Sequence, residues 1–160
     1  IRDQDRIGPV QAETGHRGPD GVTAVSEERD PHTEHRDCPF CRVDLEEVII
    51  DNDLVFARFD RFPVSRGHLL IIPKRHFADY FEASQQEKMA LMEVIDQAKR
   101  FLHNRFCPDG YNIGVNIGEA AGQTVMHLHV HVIPRYTGDV SDPRGGIRGV
   151  IAGRQHGGNW

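Results

Sequence analysis

The sequence predicts an α+β domain whose sheet is mainly antiparallel and five-stranded. Three observations carry that expectation. Two apolar runs, Val48-Ile49-Ile50 and Leu54 to Phe59, are separated only by Asp51-Asn52-Asp53, which reads as a hairpin turn. One long stretch after Ser84 has helical spacing. Strand-like runs lie on both sides of that helix, and the connections before it are short, which favours antiparallel pairing over βαβ crossovers.

Residues 1–37 contain no Leu, Met, Phe, Tyr or Trp and are rich in Gly, Pro, Asp, Glu and Arg. Such a segment buries too little apolar surface to offset its ordering entropy, so a disordered arm is expected, with His16, His32 and His35 as solvated bystanders. The folded domain is expected over 38–138. After the first hairpin, Asp60 to Arg66 forms a loop holding Pro63, and Gly67 leads into a third strand, His68 to Ile72, closed by Pro73. A short segment around Phe77 to Phe81 precedes the helix. Ser84 and Glu87 form an S-x-x-E capping box. Met89, Met92, Ile95, Lys99 and Leu102 follow at helical spacing and are expected on the core face, with the methionines as gap-fillers. Leu91, Val94 and Phe101 would then be apolar residues off that stripe. Pro108-Asp109-Gly110 ends the helix, Tyr111 to Ile117 is a fourth strand, and Val125 to Ile133 a fifth. The tail, 139–160, is rich in Gly and Arg. It is expected either as a loose end or as a loop laying Arg144, Arg148 and Arg154 over a phosphate chain.

A chain of 160 residues normally forms one domain. The net charge of −5 argues against a nucleic-acid-binding surface over the whole protein. No apolar run approaches membrane-spanning length, and no apolar secretory core opens the sequence. Three cysteines, two of them as Cys38-Pro39-Phe40-Cys41, do not make a disulfide framework, so a cytoplasmic setting is expected.

The most informative stretch is His127-Leu128-His129-Val130-His131-Val132-Ile133. On a strand, the three imidazoles would share one face at steps of about 6.6 Å, with Leu128, Val130 and Val132 turned into the core. Two chemistries fit. A His-X-His pair can chelate zinc. Alternatively the middle imidazole attacks phosphorus while its neighbours hold the phosphate. Gly122-Gln123-Thr124-Val125 before the row and Pro134-Arg135 after it suit an anion, and no Asp or Glu lies between Gly122 and Tyr136. A metal could still recruit carboxylates from elsewhere.

The run Gly122 to Arg135 resembles the signature of the histidine triad (HIT) family of nucleotide hydrolases and transferases. Gly67-His68-Leu69-Leu70-Ile71-Ile72-Pro73-Lys74-Arg75-His76 is similar to a second block of that family. The resemblance covers about Cys38 to Arg135. It implies a HIT-like fold, an antiparallel sheet with one long and one short helix. It implies His129 as nucleophile and His131 as a phosphate donor. Asp60 (ribose), His68, Asn116, Gln123 and Thr124 would be the substrate contacts. For Cys38 and Cys41 the pair alone leaves redox or incidental roles open. The resemblance implies structural zinc held by Cys38, Cys41, His76 and His127. It further implies a nucleotide substrate, magnesium as an optional companion of a polyphosphate, and a homodimer contacting through the long helix and a sheet edge. The expected reaction is hydrolysis of a dinucleoside polyphosphate of the diadenosine tetraphosphate type. Phosphoramidate (AMP-lysine type) hydrolysis, nucleotidyl transfer, a nucleotide sensor and a metal-dependent hydrolase are the alternatives. His103, His156 and Cys107 are expected to play no part.

Overall fold

The computed structural model describes residues 37–156, so the expected N-terminal arm lies outside the described residues, except for Asp37. Its elements, in chain order, are β1 (Val48–Asp51), β2 (Val55–Phe59), β3 (Leu69–Pro73), α1 (Gln85–Phe106), β4 (Gly110–Gly114) and β5 (Val130–Arg135). The sheet order is β1-β2-β3-β5-β4, with every neighbouring pair antiparallel. The α+β class and the five-stranded antiparallel sheet are as expected. The short helix amounts to a single 3-10 turn, Tyr80–Glu82.

The β1–β2 turn closes through Asn52, whose side-chain carbonyl accepts from the Leu54 and Val55 backbone N–H groups at 3.0 and 2.8 Å. The helix starts where its capping box predicts. Ser84 Oγ accepts from the Glu87 N–H at 3.2 Å, and Glu87 accepts from the Ser84 N–H at 2.8 Å. Arg75 adds a two-pronged bond to the same carboxylate, both contacts at 2.9 Å. The arginine bonds hold Glu87 well below the ordinary carboxylate range, at about 2. This clamp ties the loop after β3 to the helix N-terminus.

The helix buries a different stripe from the one expected. Ala90, Leu91, Val94, Ala98 and Leu102 face the core, whereas Met89 and Met92 are exposed. The buried residues recur at steps of three and four, so the small alanines let α1 approach the sheet closely. Leu91 and Val94 therefore support the core, and the case for a subunit contact loses them. Cys107 follows the last turn of α1. It is exposed and caps the helix in the left-handed region, with φ of 48°.

The two faces of the sheet differ. Val55, Ala57, Leu69, Ile71, Val130 and Val132 pack beneath α1. Phe56, Leu70 and Ile72 point the other way and pack with Phe40 from the strap of residues that precedes β1. Arg58 shares this second face. It is buried and pairs with Glu47 of the strap at 2.8 Å. Gly67 turns the chain into β3 with φ of 87°, and a Cβ there would lie 2.8 Å from the Phe106 ring. The turn thus needs glycine for its backbone and for the closeness of the helix end. Among the described residues, no helix is long and apolar enough to cross a membrane.

Candidate active site and metal cluster

The expected row of three histidines on one strand does not form. β5 begins only at Val130, so His127 and His129 lie in the extended approach to it. Leu128, Val130 and Val132 do enter the core. His129 and His131 remain on one side, their ring centroids 4.9 Å apart. His127 turns away from them. The chain bends at Val125 to His127, and the Leu128 N–H is caught by the Phe77 carbonyl at 2.6 Å.

His127 is fully buried. Its Nε2 lies 2.8 Å from the Pro73 carbonyl. A carbonyl only accepts, so Nε2 carries the proton and Nδ1 presents its lone pair. That lone pair faces Cys38 Sγ at 3.4 Å and Cys41 Sγ at 3.5 Å. His76 Nδ1 lies 3.2 Å from Cys41 Sγ. The four donor atoms of Cys38, Cys41, His76 and His127 lie within 4.8 Å of one another. A zinc tetrahedron with Zn–S bonds of about 2.3 Å and Zn–N bonds of about 2.0–2.1 Å has nitrogen–sulfur edges of roughly 3.5 Å. The cluster matches that geometry and is compatible with structural zinc, and the Pro73 carbonyl is the outer partner a ligating histidine needs. Desolvation, then Cys38, pushes the Cys41 thiol up to about 11. A cation would have to displace that proton.

His129 Nδ1 lies 2.8 Å from the His127 carbonyl. By the same reasoning Nδ1 donates, and Nε2 is left with a free lone pair. Phe40, between the two cysteines, meets the His129 ring edge-on at 5.1 Å. His131 Nδ1 contacts His68 Nε2 at 3.0 Å. The Val64 backbone N–H donates to His68 Nδ1 at 3.4 Å. This backbone donor sets the order of protons. His68 donates from Nε2 to His131 Nδ1, so His131 presents an Nε2–H. Burial lowers the His68 pKa, overriding the opposing pull of Asp60. Burial, His129 and His68 lower that of His131 to about 4. Both rings are therefore neutral at pH 7.

Asp60 sits beside this pair, its Oδ2 3.4 Å from His68 Nδ1, and its Oδ1 accepts from the Phe62 N–H at 2.8 Å. Asn116 is half-buried beyond the end of β4, and Thr124 is exposed ahead of the bend. Neither side chain has a hydrogen bond among the described residues, so both keep free donors. Gln123 differs from its expected role. Its amide nitrogen donates to the Ala78 and Val125 carbonyls at 3.0 and 3.2 Å, and its oxygen accepts from the Gly118 N–H at 2.7 Å. With no amide hydrogen left for a phosphate, buried Gln123 acts as a brace for the Gly118–Gly122 loop. The signal in the sequence was that loop's two glycines, both at positive φ, which bound a tight turn that Gln123 ties to the Ala78 carbonyl. Sequence reasoning also missed Pro73, Phe40 and the Arg75–Glu87 clamp, because each acts through a carbonyl, a ring edge or a distant partner.

An imidazole with one nitrogen tied to a carbonyl and the other free, beside a neutral His131 that is itself backed by His68, defines a histidine-based site on an antiparallel α+β sheet. The HIT domain family matches residues 43–138, and the chain belongs to that family. Among solved structures, it is similar to a HIT family protein of Bacillus anthracis, with TM-score 0.61 and 34% identity, covering 65% of this chain and 77% of that one. It is also similar to a Zn-bound histidine triad family protein of Mycobacterium smegmatis, with TM-score 0.55 and 34% identity, covering 59% and 69%. A further relative is an AP-4-A phosphorylase of Mycobacterium tuberculosis, 36% identical over 95 residues, covering 59% of this chain and 49% of the relative. The chain thus spans about half the length of that protein.

The lowered pKa of His131 has a stability consequence. Unfolded, the ring titrates near 6.5; folded, near 4. Between these values the unfolded chain binds more protons, so stability is full above pH 6.5 and is lost as pH falls toward 4. His68 acts in the same direction. Urea unfolding at pH 7.5, 6 and 5 is expected to show falling stability, with a shallower slope in His131→Asn. Equal slopes in the two proteins would show that His131 is not the group responsible.

Proposed function

We propose that this protein hydrolyses a dinucleoside polyphosphate of the diadenosine tetraphosphate type through a nucleotidyl-His129 intermediate. The observation that carries the reading is the bond from His129 Nδ1 to the His127 carbonyl, which in the neutral ring places the lone pair on Nε2, where it can attack. In the first step Nε2 bonds to the α-phosphorus, and the bond from phosphorus to the bridging oxygen breaks. The remaining polyphosphate departs with that electron pair. The neutral His131 donates its Nε2–H to a phosphoryl oxygen as charge develops there. Thr124 and Asn116 add free polar groups, and Asp60 accepts from the ribose hydroxyls. In the second step water attacks the phosphorus and loses a proton to solvent, the phosphorus–nitrogen bond breaks with its electron pair returning to His129 Nε2, and the mononucleotide leaves. The similarity to an AP-4-A phosphorylase supports the substrate class. In a phosphorylase, inorganic phosphate would take the place of water, so the acceptor belongs among the tests.

Cys38, Cys41, His76 and His127 would hold zinc in this reading. Four protein ligands make a closed site, so the ion supplies folding energy and orders the strap rather than taking part in the reaction. The reading also includes a homodimer. Exposed Met89 and Met92 on α1, and Ile113 on the edge strand β4, are the apolar residues available for it. A monomer by light scattering at micromolar concentration would remove that part.

Replacing His129 with Ala is expected to cut turnover of diadenosine tetraphosphate by roughly 10³-fold or more, because the whole two-step route is lost. His131→Ala should cost on the order of 10²–10³. Wild-type protein quenched during turnover should carry an acid-labile nucleotide on His129, detected by mass spectrometry. Substantial activity in His129→Ala, or an AMP-lysine analogue turned over far faster than any polyphosphate, would displace this reading.

Cys38→Ser combined with Cys41→Ser is expected to lower the melting temperature and to abolish zinc content. Protein purified without chelator should contain about one zinc per chain by the four-ligand count. Metal analysis that finds none would remove zinc from the proposal.

A further inference from the structure

The HIT domain match ends at residue 138, but the chain continues as a built loop that returns to the sheet. Arg135 anchors it by gripping the Asp139 carboxylate at 2.6 and 2.8 Å, and Asp109 accepts from the Thr137 N–H at 2.7 Å. The loop then closes on itself at Gly145. There φ is 88°, and a Cβ would collide with the Gln155 carbonyl. The 3-10 turn Gly146–Val150 follows and packs on β4.

The register shows which face it covers. A Cβ on Gly114 would meet Ile147 Cδ1 at 3.7 Å, and one on Gly146 would meet Asn112 Nδ2 at 3.4 Å. Gly114 pairs with His131, and Asn112 with Ile133. Directly paired residues project to the same face, so Ile147 lies on the triad side, next to His131. The strap covers the same face from the β2 side, through Phe40 on Leu70 and Glu47 on Arg58. His131 thus lies on the sheet face between the strap and the tail.

The tail arginines are not equivalent. Arg144 is paired with Asp142 at 2.9 Å, and Arg154 has an interaction of its own. The backbone of Arg148, immediately after Ile147, is held by the Gly145 carbonyl and the Ile151 N–H, but its exposed guanidinium has no hydrogen bond or ion pair among the described residues. We propose that residues 146–150 form the second wall of the nucleotide cleft and that Arg148 binds the phosphates beyond the α-phosphate, selecting nucleoside polyphosphates over mononucleotide derivatives. This rests on the reading of His129 as a nucleotide-directed nucleophile. The α-phosphate already has His131 and Thr124. A polyphosphate carries further charge, which an unpaired guanidinium meets with two parallel charge-assisted bonds and without first breaking a pair.

The test is binding of AMP and of the α,β-methylene analogues of ADP and ATP, which cannot be cleaved at that bridge. It compares the wild type, Arg148→Ala, Arg148→Lys and Arg144→Ala. Arg148→Ala is expected to weaken both analogues by about tenfold or more, the scale of a lost charged hydrogen bond, while AMP changes little. Arg148→Lys should recover part of the loss, and Arg144→Ala should leave all three affinities near wild type. Unchanged affinity for the analogues in Arg148→Ala, or an equal loss for AMP, overturns the role of Arg148 and leaves the nucleophile reading standing. If wild-type protein binds none of the three ligands, the nucleotide reading falls, and this inference with it.

Discussion

The arrangement depends most on His127, one fully buried residue with three directed contacts. Its Nε2–H is taken by the Pro73 carbonyl, its Nδ1 lone pair faces the two cysteines, and its own carbonyl receives the proton of His129 Nδ1. A buried imidazole with an unmet nitrogen would be costly, so each contact constrains the others. The end of β3 supplies the acceptor, which makes Pro73 important for its carbonyl as well as for ending the strand. If His127 rotated, the donor cluster would lose a corner, and the backbone that sets the His129 tautomer would lose its anchor. The Cys38–Cys41–His76–His127 donor cluster and His129 are thereby joined through one peptide unit.

Division of the sheet into two faces makes this possible. The α1 side is occupied by aliphatic side chains and by a helix whose alanines allow close approach. The opposite side carries His131, His68 and Arg58, polar groups that α1 could not cover without leaving them unpaired. They are covered by irregular chain that brings its own partners. The strap brings Glu47 to Arg58, the 60–67 loop brings the Val64 N–H to His68, and the bend before β5 brings a carbonyl to His129. Arg58 Nε is the exception, a buried donor with no partner among the described residues. Three supports hold the loops themselves: Gln123, the Arg75–Glu87 clamp, and the Arg135–Asp139 pair. Each removes freedom from a segment that lies outside the sheet ladder.

Much of this was legible from the residues. The hairpin at Asn52, the capping box at Ser84 and the burial of Leu128, Val130 and Val132 follow from patterns within a few positions, and they form as expected. The errors share a cause. Met89 and Met92 fit the helical period as well as Ala90 and Val94 do, and periodicity cannot say which of two apolar stripes meets the sheet. Alternation through residues 127 to 131 suggested one strand, but the Phe77 carbonyl captures the Leu128 N–H and bends the chain just before it. Gln123 looked like a phosphate donor because its amide is polar and near the motif; one of its hydrogens is taken by the Ala78 carbonyl, 45 positions away in the chain, and the other by the Val125 carbonyl.

The sequence by itself determined the class of fold, the family, and which side chains are the candidates for the chemistry, because periodicity, capping and turn chemistry act over a few residues and the histidine motif is contiguous. Only the tertiary structure decided how those side chains are used. It decided which nitrogen of His129 is free, that His127 serves the cysteines rather than the row, that Gln123 braces a loop, and that the tail returns to the triad face beside His131. The physical reason is that a tautomer or a donor's availability is set by the nearest acceptor, and here those acceptors arrive from far along the chain. Cys38 and His127 are 89 residues apart, and the Pro73 carbonyl is 54 residues from the ring it holds. Such pairings exist only after β3, β5 and the strap have packed, and no local pattern in the residues encodes them.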